Sequence, residues 1–160
     1  MKYKEILYIK QGNRETIIYT INKVFKQEVS IDKLLDDWCI DTLSTYKGRL
    51  EATKRKYNIK KQVPIYINKD LMLFPITNKK SIENIYINCL NILSIDKNIN
   101  DCTVINFVNK QQLIIEKEFK FIIKYYHKAI DIYQTIKWKY LLLHLSWKKT
   151  RKSVKYICKK

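Results

Sequence analysis

The chain has 160 residues, enough for one domain with a substantial core. Lys and Arg number 32 against 15 Asp and Glu, a formal charge of +17, while 46% of residues are hydrophobic and 12% aromatic; this excludes a disordered basic tail and points to a polyanionic partner. No uncharged apolar run reaches the roughly 18 residues of a membrane span, and the stretch Met1 to Glu5 leads into no apolar signal segment, so a cytoplasmic location is expected.

Residues 3–29 read as strands. Ile6 to Ile9 and Thr16 to Ile21 are rich in β-branched and aromatic residues and flank Gln11-Gly12-Asn13, a hairpin turn signal. Ser30 is a helix cap, and Leu34, Leu35, Trp38, Leu43, Tyr46, Leu50 and Tyr57 follow it near helical spacing, with a break or a close backbone approach expected near Gly48. Residues 61–116 return to β structure. Val63 to Ile67 and Leu71 to Ile76 flank Asn68-Lys69-Asp70, a second hairpin signal, with Pro64 and Pro75 at strand ends or an edge. Ile85 to Ile87 and Leu90 to Leu93 follow, and Val104 to Val108 and Leu113 to Ile115 form a third hairpin around Asn109 and Lys110. From 117 to 147 the apolar positions, including Phe119, Ile122, Tyr126, Ala129, Tyr133 and Tyr140, keep a 3.6 period without Gly or Pro. The predicted fold is α+β: antiparallel hairpins packed with a helical basic segment and a long C-terminal helix. One domain over 1–147 and a basic tail over 148–160 are expected.

Lys and Asn codons are A/T-rich, so part of the charge follows from base composition, and clustering is the stronger signal. Residues 47–61 carry Lys47, Arg49, Lys54, Arg55, Lys56, Lys60 and Lys61 against Glu51 alone. Residues 137–160 carry nine Lys/Arg and no acid, whereas 28–41 carries Glu28, Asp32, Asp36, Asp37 and Asp41 against Lys33. Two concentrated positive segments are the footprint of a reader of phosphate backbone. Lys47, Lys54 and Lys61 recur every seven residues and would share a helix face. Aromatics interleave with these charges; at helical spacing Trp38, Tyr46 and Tyr140 are assigned to the core, while Trp147, at the edge of the basic end, fits either role.

Catalytic arrangements are poor. With only Gly12 and Gly48 there is no phosphate-binding Gly-rich loop, and His127 and His144 fall on or near the long helix. Cys39, Cys89, Cys102 and Cys158 lack zinc-site spacing and read as thiols, so neither a metal nor another cofactor is expected. An enzyme rival places Asp101, Glu118 and Lys120 around Mg²⁺ as a nuclease. Two further rivals are a basic protein that binds nucleic acid without sequence preference, and a peripheral membrane protein whose 137–160 segment lies on anionic lipid.

The run from Cys39 to Thr53 carries a fuller pattern: Cys39, Ser44, Thr45, Tyr46, Gly48, Arg49 and Thr53. Lys61, Pro64-Ile65 and Leu73-Phe74-Pro75 follow at matching distances, then Tyr86-Ile87 in place of a Trp-Ile pair, and Ile105 to Asn109 with Lys110 where a turn Gly is usual. Ala52 stands where a Gly is usual. Over residues 3 to 135 this resembles the ComK family of bacterial competence transcription factors. The resemblance implies a non-enzymatic cytoplasmic activator of DNA-uptake genes. It would bind double-stranded DNA at paired A/T runs through the minor groove, as a dimer that assembles further, with RNA polymerase and a protease adaptor as further partners. It also implies structural roles for Cys39, Gly48, Phe74 and Pro75 beside Trp38 and Tyr46. Narrow A-tract grooves attract arginine, and Arg49, one of four arginines in a lysine-rich chain, is the expected reader.

Overall fold

The computed structural model describes residues 2–77, 84–98 and 102–157, with side chains to residue 143. Nine strands run β1 (Ile6–Gln11), β2 (Thr16–Thr20), β3 (Val24–Gln27), β4 (Ile65–Asn68), β5 (Leu71–Pro75), β6 (Ile85–Asn88), β7 (Ile92–Lys97), β8 (Thr103–Phe107) and β9 (Gln112–Ile115). Three α-helices are α1 (Ile31–Ile40), α2 (Tyr46–Tyr57) and α3 (Phe119–Ile157). The strands form a six-stranded sheet in the order β3-β2-β1-β6-β5-β4 and a three-stranded sheet in the order β7-β8-β9, every pairing antiparallel. The α+β class and all three hairpins follow the sequence expectation.

Two compact units divide the chain. Residues up to Ile130 form the first, and Asp131 onward, the remaining length of α3, forms the second. In the first unit one core joins α1 to the large sheet. Ile31, Leu34, Leu35, Trp38 and Cys39 pack with Ile9, Ile18, Ile65, Ile67, Leu71, Leu73 and Tyr86. Burying each such aliphatic side chain contributes about 1.5–3 kcal/mol. The other face carries Phe74, whose ring meets Tyr126 of α3 at 6.3 Å, and Tyr8, stacked on Tyr19 at 4.2 Å and on Phe107 at 5.6 Å. Strands β5 and β6 are buried along their whole length. A strand covered on both faces needs apolar residues at successive positions, which is why Leu71 to Pro75 does not alternate.

The helical run from Leu34 to Tyr57 breaks at residues 41–45, ahead of Gly48 rather than at it. The Cys39 carbonyl accepts from the Thr42 and Ser44 amides at 3.0 and 3.1 Å, and Leu43, left-handed with φ 57°, turns the chain. Thr45 then caps α2, its hydroxyl accepting from the Gly48 amide at 3.0 Å. A Cβ on Gly48 would stand 3.0 Å from that hydroxyl, so the glycine makes room for the cap. Asp36 Oδ1 accepts from the Tyr46 amide at 2.9 Å and ties α1 to α2. Trp38, Cys39, Tyr46, Phe74 and Pro75 are all buried, while Gly48 is exposed.

One expectation is corrected here. Tyr140, expected in the core, is 64% exposed, because past Ile136 the apolar positions of α3 leave the buried face. From residue 148 the basic segment is part of α3, which runs to Ile157; residues 158–160, with Cys158, lie outside the described residues.

Candidate nucleic-acid interface

Helix α2 has an apolar side set by Tyr46, Leu50 and Tyr57 and a charged side facing water. Lys47, Arg55 and Lys56 are exposed there, Lys56 Nζ standing 4.9 Å from the Tyr57 ring. Lys54 is partly buried and meets Glu51 Oε1 at 2.9 Å; this hydrogen bond holds the Glu51 carboxyl below its ordinary range. Asn58, left-handed with φ 49°, ends the helix, its amide donating to the Lys54 carbonyl. Lys61 therefore does not share a helix face with Lys47 and Lys54, as the seven-residue spacing predicted; it lies with Lys60, both exposed, in the loop leading to β4. Among the described residues, no ion pair engages Lys47, Arg55, Lys60 or Lys61.

Arg49 stands apart from these cations, because its guanidinium is turned into the fold. Nε donates to Ser44 Oγ and Nη2 to Thr42 Oγ1, each at 2.5 Å. Nη1 donates to the Ile67 carbonyl at 2.7 Å and to the Tyr66 carbonyl. Four bonds from one planar group fix α2, the preceding turn and β4 together, a geometry that suits Arg and not Lys. Burial pushes the adjacent Cys39 thiol up to about 11, against the opposing pull of this guanidinium. Sequence reasoning missed the acceptors Thr42 and Ser44, since their role depends on a turn that periodicity does not disclose.

The side chains of α2 and the following loop also border a cleft of about 290 Å³. Its buried floor holds the Tyr46 and Tyr86 hydroxyls, paired at 2.8 Å. Burial raises both phenols, so both stay protonated at neutral pH. The pairing joins residues 40 apart in the chain, so the sequence alone did not reveal it.

In the second unit Lys137, Trp138, Lys139, Tyr140 and Leu141 to Leu143 are exposed; Trp147 and the lysines beyond it lie outside the described side chains. Of the nuclease trio, Asp101 lies outside the described residues, and among those described no three His, Cys, Asp or Glu are grouped to hold a metal. No described helix is long and apolar enough to cross a membrane.

No curated protein matches the chain. Among solved structures, the LytTr DNA-binding domain of a methyl-accepting/DNA response regulator from Bacillus cereus is similar, with a TM-score of 0.40 at 9% identity, covering 81% of this chain and 84% of that one. The model of the ComK protein family matches residues 6–140, from the first strand into the long helix, and the chain belongs to the ComK family of competence transcription factors.

Proposed function

We propose that the protein is a transcriptional activator of competence genes that prefers A/T-rich DNA through the minor groove, with α2 and its following loop as the DNA face. Family membership supports a DNA-binding regulator. The observation that carries the finer assignment is the exposure of Lys47, Arg55, Lys56, Lys60 and Lys61 along one short segment. A row of solvated cations releases counterions when it meets a phosphate backbone, and that release drives binding. Arg55 takes the groove-reading role, because it is the exposed arginine of this helix and a guanidinium sheds water readily in a narrow groove. Arg49 acts one step back, as a positioning residue that holds α2 at its angle to β4. Lys54 adds its charge beside Glu51. Residues 1–147 serve as the DNA-binding domain, and 148–160 as a basic extension. The working form is a cytoplasmic homo-oligomer, with RNA polymerase and a protease adaptor as further partners. Exposed Trp138, Tyr140 and Leu141 to Leu143 are apolar surface that a second copy would cover.

Paired titrations on A/T-rich and G/C-rich duplexes of equal length, at matched salt, test this assignment. With roughly 6–8 phosphates neutralised, log K against log salt should fall with a slope of about −5 to −7. Arg55→Lys should keep most affinity and lose about 1–3 kcal/mol of A/T preference. A slope near zero removes the phosphate contacts, and equal affinity for both duplexes removes the groove preference.

A further inference from the structure

The cleft beside α2 differs from an ordinary charged helix face, because it is concave and sets apolar side chains beside the polar Lys54, Gln62 and Thr77. Leu50 is partly buried, and Val63 and Pro75 are buried; together they supply apolar wall. Tyr46 and Tyr86 form the floor, with only 6% and 3% of their surfaces exposed. Lys60 and Lys61 are exposed and border the same space, so the positive charge sits at the rim. A duplex backbone is convex and presents phosphates without an apolar appendage, so it would engage the rim and leave the interior unfilled. The interior asks for a flat, weakly polar group about the size of a single ring system. Clefts that hold small ligands begin at about 300 Å³, the scale seen here. A phosphate monoester carries about −1.5 to −2 charges at neutral pH, which two rim ammonium groups can balance.

We infer that this cleft binds a small phosphate monoester bearing a flat ring, such as a nucleoside monophosphate, with the phosphate held by Lys60 and Lys61 and the ring lying against Leu50, Val63 and Pro75. The inference does not depend on the DNA assignment, although both draw on the same lysines. Occupancy would place a dianion on two of the proposed DNA-contacting cations, so a small molecule would compete with DNA.

The test is a titration of the full chain with AMP, followed by methyl resonances of Leu50 and Val63, with adenosine, inorganic phosphate and a short duplex as parallel arms. The expected result is saturable movement of both methyl groups by AMP, with adenosine and phosphate each at least about tenfold weaker, a difference of about 1.4 kcal/mol. The double substitution Lys60→Ala and Lys61→Ala, at exposed positions that leave the core untouched, should weaken AMP to the level of adenosine. If AMP and inorganic phosphate bind equally and leave the methyl groups unmoved, the lysines only screen surface anions and the inference is overturned. If the duplex moves those methyl groups and AMP does not, the cleft is a seat for DNA, which overturns the inference while supporting the DNA assignment.

Discussion

Replacing Arg49 by lysine keeps the charge and removes the planar fork, so it separates a structural clasp from a DNA contact. The guanidinium makes four hydrogen bonds, two of them to the Tyr66 and Ile67 carbonyls and two to hydroxyls on the turn before α2. A bond to a charged donor contributes about 1.5–3 kcal/mol when buried; Arg49 is only partly buried, so the low end applies. An ammonium on a flexible stem can keep about two of the four partners. Arg49→Lys should therefore cost about 2–3 kcal/mol, and Arg49→Ala, which leaves two carbonyls without their donor, about 3–4 kcal/mol. At this chain length each kcal/mol lowers Tm by about 2–4 °C, so the lysine variant should melt roughly 5–10 °C early. The assay is urea unfolding followed by tryptophan fluorescence, with Ser44→Ala as the second arm of a double-mutant cycle. Coupling of about 1 kcal/mol between positions 44 and 49 is expected for a shared bond. A lysine variant that unfolds with the wild type yet loses A/T preference would refute the clasp and return Arg49 to the DNA face.

Three further outcomes are expected. Trp38→Ala and Phe74→Ala should each cost about 3–5 kcal/mol in denaturant unfolding, because both side chains are buried, Trp38 with its ring edge-on to Tyr3 at 5.6 Å; wild-type midpoints would remove either from the core. Lys110 sits between β8 and β9 with φ 68°, a left-handed conformation that costs a side chain about 1 kcal/mol, so Lys110→Gly should raise stability by up to that amount, and a lowered Tm would show that the lysine side chain contributes more than the strain. Burial pushes the Cys39 thiol from 9.0 up to about 11 and the Cys89 thiol up to about 12, so the folded state holds protons that the unfolded chain releases near pH 9. Stability from these groups is complete below pH 9 and should fall as pH climbs from 9 toward 12, and Cys89→Ala should flatten that fall in pH-dependent melts.

What the sequence disclosed and what it withheld divide along the range of the interactions. The hairpins were legible because Gly12, Asn68 and Asn109 carry local turn chemistry; Asn68 Oδ1 accepts from the Asp70 amide and Asn109 Oδ1 from the Gln111 amide, both two residues on. The start of α1 was legible because Ser30 caps it, its hydroxyl accepting from the Lys33 amide at 3.3 Å. A break was expected near Gly48, but its place at 41–45 was hidden, since Leu43 and Tyr46 continue the apolar period through it, yet Leu43 is 97% exposed. The exposed cations of α2 were found from charge clustering, which requires no tertiary knowledge. The inward turn of Arg49 depends on carbonyls 17 and 18 residues away, and the Tyr46–Tyr86 pair spans 40, so no local pattern announces either. Tyr140 was misplaced because a 3.6 period shows which residues share a face, not whether anything covers it.

The place of β1 in the large sheet bears on how the chain is made. It is synthesised well before β6, yet it lies inside the sheet and pairs on one side with that strand. Its early partner is β2, with β3 adding to the far side of β2. Its other edge, the backbone of Tyr8 to Lys10, waits until residues 85–88 have been synthesised, and the closure is locked by Asn88 Nδ2, which donates at 2.9 Å to the Ile6 carbonyl, 82 residues back. During that interval the nascent chain displays an unpaired strand edge, the kind of surface on which strands from separate chains associate. Long-range closure of this sort also slows folding. The vulnerable period of this protein is thus its own translation, and C-terminal truncations that stop before Ile85 should accumulate as aggregates, whereas those that retain Asn88 have every strand of the large sheet.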